Sequence, residues 1–103
     1  MLGAIIEIVR YIDGDQPGWV ECRMSDAWGH EYTFRDKVPI FTSSNLTADS
    51  LYPQPGWISC LEVSRLRDKQ GREIVTIDTN PWHIESTSGE TRFDVLAEQL
   101  TNL

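Results

Sequence analysis

A chain of 103 residues with 40% apolar and 24% charged side chains has the size and composition of one globular domain. Its apolar share is too high for a disordered segment. Sixteen carboxylates against nine Lys and Arg leave a net charge of −7, which argues against nucleic acid and anionic membranes as partners and points, if anything, to a basic protein.

Strand patterns dominate in chain order. Gly3 to Ile12 is rich in isoleucine and valine, and Asp13-Gly14-Asp15-Gln16-Pro17-Gly18 closes it with turn chemistry. From Trp19 the apolar residues Val20, Cys22 and Met24 alternate with Glu21 and Arg23, the signature of a half-buried strand. Ser25 to Gly29 reads as a turn, Tyr32 and Phe34 restart the alternation, and Pro39 keeps the run Val38 to Phe41 at an edge or a bend. Residues 42–56 lack periodicity and have room for one helical turn around Thr47 to Leu51. Trp57 to Leu66 and Arg72 to Asp78 form a second hairpin through Asp68-Lys69-Gln70-Gly71. Trp82 to Glu85 reads as a further short strand after Asn80-Pro81. At the end, Phe93, Leu96, Ala97 and Leu100 share a helical face while Arg92 to Leu96 also alternates, so a strand running into a terminal helical turn is expected.

An internal repeat is the sharpest signal. Gln16-Pro17-Gly18-Trp19-Val20-Glu21-Cys22 returns as Gln54-Pro55-Gly56-Trp57-Ile58-Ser59-Cys60, and Asp26, Gly29 and Glu31 have the mutual spacing of Asp68, Gly71 and Glu73. Pro-Gly suits the centre of a type II turn with Gly at positive φ, and Asp-x-x-Gly suits a hairpin turn closed by a left-handed glycine. The longer second arm adds an even number of residues, which leaves every side chain on its own face of the sheet. Two related halves, about 5–43 and 44–86, predict a single all-β domain: a small closed or partly open barrel of about six strands. Cys22 and Cys60 are then inward core fillers, and the absence of an export signal makes them reduced thiols.

Motifs of known chemistry are missing. The chain has no phosphate-binding glycine loop and no nucleophile elbow. Cys22, His30, Cys60 and His83 are isolated rather than paired at ligand spacing, and His83-Ile84-Glu85 lacks the P-C-x-x-C that a zinc deaminase needs, so neither metal nor cofactor is expected. Arg65, Arg67, Lys69 and Arg72 are interleaved with Asp68 and Glu73 and read as a solvated hairpin arm. Two sets of candidates remain. Trp28, inside a predicted turn, is an exposed aromatic suited to recognition. Asp78, Trp82, His83 and Glu85 cluster after the second hairpin, where a barrel rim could hold a ligand or support hydrolysis.

Val20-Glu21-Cys22, Asp26-Ala27, Asp36-Lys37-Val38-Pro39-Ile40 and Tyr52-Pro53-Gln54-Pro55-Gly56 resemble a group of short bacterial proteins of uncharacterised function. The resemblance implies a bacterial, cytoplasmic protein and no site residues. Leu2 to Ile12 is apolar, but Glu7 and Arg10 interrupt it and no cleavage site follows, which again points to the cytoplasm without a membrane span. The expected function is non-enzymatic binding through a barrel rim, with Trp28 and the acidic tail as contacts. A specific form is an acidic immunity-type inhibitor of a basic toxin, and the alternative is a ligand-binding or hydrolytic barrel using Asp78, His83 and Glu85.

Overall fold

The computed structural model describes residues 1–14 and 17–103, so Asp15 and Gln16, which belong to the predicted turn and to the repeat, lie outside the described residues. The chain folds into one curled antiparallel sheet, a half-barrel of six strands in the order β3-β2-β1-β4-β5-β6. The strands are β1 (Leu2–Asp13), β2 (Trp19–Ser25), β3 (Glu31–Lys37), β4 (Gln54–Arg67), β5 (Glu73–Asp78) and β6 (Arg92–Leu96). A single helical turn, α1 (Val38–Phe41), follows β3, and a short β7 (Leu100–Asn102) returns to pair with the start of β1. The all-β barrel read from the alternating patterns is therefore what the chain builds. No helix among the described residues is long and apolar enough to cross a membrane.

Alternation explains why the sheet has an inside. Ala4, Ile6 and Ile8 of β1 are buried while Ile5 and Glu7 between them are exposed, as a period of two requires. Val20, Cys22 and Met24 of β2, Ile58 and Cys60 of β4, Val75 and Ile77 of β5, and Phe93 and Val95 of β6 complete the core with Phe34 and Phe41. Cys22 lies opposite Ile8 and Cys60 opposite Leu2. Burial pushes the two thiols up, to about 12 for Cys22 and about 11 for Cys60, so at neutral pH both are protonated side chains inside the core.

The gap between β3 and β6 is closed without a strand ladder. The Phe93 ring meets Tyr32 edge-on at 4.9 Å and Phe34 at 5.6 Å, an attractive aromatic geometry. Two backbone bonds add to this: Thr87 N–H donates to Thr33 at 2.8 Å, and Ala27 N–H donates to Asp94 at 2.8 Å.

Several local expectations are corrected. Neither Gly18 nor Gly56 has positive φ, so Pro-Gly is not a type II turn. Pro55 and Gly56 lie inside β4, opposite Glu7 and Ile6. A Cβ on Gly56 would stand 2.8 Å from the Phe41 carbonyl oxygen and 2.9 Å from Ile8 Cδ1, and one on Gly18 would overlap the Tyr11 ring. Close approach, not backbone freedom, demands glycine there. Val38 to Phe41 is helical rather than a bend, with Pro39 in its first turn where no N–H is missed. The turn near Thr47 amounts to one backbone bond, from Ser50 N–H to Thr47. Trp82 to Glu85 is not a strand: Asn80–Trp82 is a single 3-10 turn, and His83 stops it in the left-handed region at φ 57°. The chain end is a strand and a helical turn as predicted, followed by the unforeseen β7.

The parity of the second hairpin also differs. An extra residue between Glu62 and Ser64 makes a β-bulge at Val63, which inverts faces beyond it. Ser25 accordingly shares the outer face with Trp19, Glu21 and Arg23, whereas Arg67 pairs with Glu73 on the face that carries the buried Val75 and Ile77.

Gly56→Ala is expected to lower stability by about 1–3 kcal/mol in urea unfolding, because backbone and not a flexible side chain must yield. Gly29→Ala, with nothing within 4 Å but φ at 84°, should cost about 1–2 kcal/mol through backbone strain alone.

Candidate functional site

Three loops of the fold are built on one frame. Asp26 Oδ1 accepts the N–H groups of Trp28 at 2.9 Å and His30 at 2.8 Å, while Asp26 N–H donates to the His30 carbonyl at 2.8 Å. Asp68 does the same with Gln70 at 3.0 Å and Arg72 at 2.8 Å, and its N–H reaches the Arg72 carbonyl at 2.9 Å. Gly29 and Gly71 occupy the left-handed position that the turn requires, at φ 84° and 80°. The predicted Asp-x-x-Gly turns are thus present in atomic detail. A third copy, which the sequence reading missed, runs from Ser86 to Glu90 with the Ser86 hydroxyl in place of a carboxylate and Gly89 at φ 88°. In each frame the fifth side chain returns to the first: His30 to Asp26, Arg72 to Asp68, and Glu90 to Ser86.

The first frame holds Trp28, which is 47% exposed at the junction of two hairpins and β6. Its indole N–H donates to Asp94 Oδ2 at 3.0 Å, and the Thr76 hydroxyl donates to Asp94 Oδ1 at 2.6 Å. The hydrogen bonds from Thr76 and Trp28 hold the Asp94 carboxyl below the usual carboxylate range. The Arg72 guanidinium lies 5.6 Å from the Trp28 ring centroid and donates to the Ala27 carbonyl at 3.2 Å, a cation–π arrangement that ties the two hairpin tips together. Trp28 is therefore both an exposed aromatic and a latch.

The other candidates are arranged differently. Asp78 ends β5, where its carboxylate accepts the Asn80 N–H at 2.9 Å and lies 3.7 Å from Arg92 Nε. Trp82 is half-buried against the core, and His83 and Glu85 are exposed on either side of the buried Ile84. Thr79 holds this loop in place, its hydroxyl donating to the Ile84 carbonyl at 2.6 Å. No hydrogen bond or ion pair joins Asp78, His83 and Glu85 among the described residues. Two clefts, of about 530 and 490 Å³, share Ile5 and Pro55 on the outer face of β1 and β4, and none of Trp28, Asp78, Trp82, His83 and Glu85 lines either. Among the described residues no three His, Cys, Asp or Glu side chains converge as metal ligands.

A second polar cluster went unread in the sequence. Glu21, with a side chain only 8% exposed, accepts from Arg10 at 3.1 Å and Arg35 at 3.0 Å, and Arg23 stands 4.0 Å away. The Arg10 hydrogen bond, aided by Arg35, holds the Glu21 carboxyl low against the opposing effect of burial. Alternation places Glu21 and Arg23 on the outer face, but nothing local reveals that Arg10 and Arg35 lie across from Glu21 on β1 and β3.

No family model matches the chain, and neither the curated proteins nor the solved structures show a match to it.

A double-mutant cycle of Trp28→Phe with Asp94→Ala should show a coupling of about 1 kcal/mol in urea unfolding, the size of one hydrogen bond to a charged group partly in water. Glu21 and Asp94 both have lowered folded pKa values. Their stabilisation is present above the unfolded carboxylate range of about 4 and is lost as pH falls below it. Urea midpoints measured from pH 7 to pH 2 should fall along that acid limb, and the limb should flatten in Glu21→Gln and Asp94→Asn.

Proposed function

We propose that this protein is a non-enzymatic interaction module that presents the Trp28 rim to a basic protein partner. One observation carries the reading: a half-exposed tryptophan is fixed in position before any partner arrives, by the Asp26 turn on its backbone and by Asp94 on its indole nitrogen. Tryptophan is the residue type most enriched at binding hot spots, and fixing it in advance removes the ordering cost of docking. The charge of the chain supports a basic partner. Net charge is −7, and the acidic tail contributes Asp94 to the rim itself. Steering of a cationic partner by such a field raises the association rate and weakens with salt. An inhibitor of a basic enzyme is a narrower form of the same reading.

The test places a photo-crosslinking phenylalanine analogue at position 28 and, as a control, at Leu51, which is 86% exposed. In cells of the source organism, position 28 should give one discrete adduct with a basic protein, and position 51 should not. The adduct should fade when cells are lysed and irradiated at about 1 M salt, where screening reaches roughly 3 Å. An equal pattern of adducts from both positions would overturn the assignment of the rim.

A further inference from the structure

We infer that this chain pairs with a second copy of itself through the free edge of β4, around a twofold axis between Val63 and Ser64. Among the described residues, Leu61–Arg67 pair with β5 alone, whereas the preceding half of β4 is paired with β1. All seven are exposed, and three are large apolar residues: Leu61 at 52%, Val63 at 44% and Leu66 at 55%. A strand edge of this length with unused N–H and C=O groups is a template for another strand unless it is covered or blunted.

The segment Leu61-Glu62-Val63-Ser64-Arg65-Leu66 is complementary to itself in antiparallel register. With the axis between Val63 and Ser64, Leu61 faces Leu66 of the copy, Glu62 faces Arg65, and each pair occurs twice. The two members of a pair must project on one face of the joined sheet, and they do. Leu61 and Leu66 share the face of Asp78 and Ile74, while Glu62 and Arg65 share the face of Ile77 and Val75. An unbulged strand would place Glu62 and Arg65 on opposite faces. The bulge at Val63 brings them together, so that Arg65 already bridges Glu62 at 2.6 Å and Glu73 at 2.6 Å within one chain. Pairing across the axis would extend this into a ring of alternating charges, with the four leucines clustered on the other face. At the axis itself Val63 of each copy stands opposite Ser64 of the other, so the two bulges flank the axis symmetrically.

Charge exchange separates the contact between chains from the contact within one. In Glu62→Arg every pair across the axis becomes Arg against Arg, and in Arg65→Glu it becomes Glu against Glu. Each variant alone should weaken self-association by about tenfold or more. A mixture of the two restores Arg against Glu at every pair between chains while leaving the clash within each chain, so it should form a mixed dimer. Sedimentation equilibrium of the full chain and of both variants, alone and mixed, measures this directly, and circular dichroism confirms that each variant is folded. A dimeric parent, two weakened variants and a mixed dimer are the expected results. A parent that stays monomeric up to about 1 mM, or a dimer that ignores both substitutions, would overturn the assignment.

Discussion

Strand β1 exchanges backbone hydrogen bonds with β4, β2 and β7, and the curl of the sheet follows from how little those stretches overlap. Leu2 to Ile8 is committed to β4, Glu7 to Asp13 to β2, and Leu2 to Ala4 on the remaining edge to β7. Register slips after Ile8 and Tyr11 let the strand bend where it passes from one partner to the next. The inward side of this one strand touches both hairpins, so Cys22 and Cys60 end up on the same face of β1 although they belong to different hairpins. A sheet curled this far brings its two ends close. The Phe93 aromatic cluster and the Trp28–Asp94 bond then need only small reach to close it.

What the sequence makes legible is whatever depends on near neighbours. Isoleucine and valine content locates β1, alternation locates β2 and β3, and Asp-x-x-Gly locates two turns down to their hydrogen bonds, because these patterns are complete within a few residues. Ser86 escaped notice because its hydroxyl does the work of the aspartate in the other two turns. Gly18 and Gly56 were misread because a glycine required by contact looks the same in sequence as one required by φ. The partner that excludes a side chain lies outside the motif, on Tyr11 for Gly18 and on Phe41 and Ile8 for Gly56. The bulge at Val63 left no mark either, and it reversed the inference drawn from an even residue count. For the site, the exposure of Trp28 followed from its place in a turn, while its partner 66 residues away did not.

The acidic total conceals an uneven surface. All four basic residues of the first 42, Arg10, Arg23, Arg35 and Lys37, project from the outer face of β1, β2 and β3 around the sequestered Glu21. Lys37 sits 5.7 Å from the Trp19 ring on the same face. Three guanidinium groups sharing one carboxylate keep Glu21 ionised in a nearly dry position, a case where paired charge is tolerated because several donors satisfy it. Glu7, Asp13 and Glu31 share this face, which balances its cations, so the excess negative charge lies elsewhere, toward the turns and the tail.

The repeated turn frame separates what a loop must keep from what it can change. Its first position supplies the acceptor, its fourth is glycine, and its fifth folds back on the first, but the third position contributes only a backbone N–H. Trp28, Gln70 and Ser88 occupy that same slot in the three copies. The slot is an open socket in evolutionary terms, where one codon can trade an aromatic for an amide or a hydroxyl without disturbing the backbone. A lineage could retire the aromatic at one tip and raise it at another, so that the character of the tips changes while the barrel beneath stays the same.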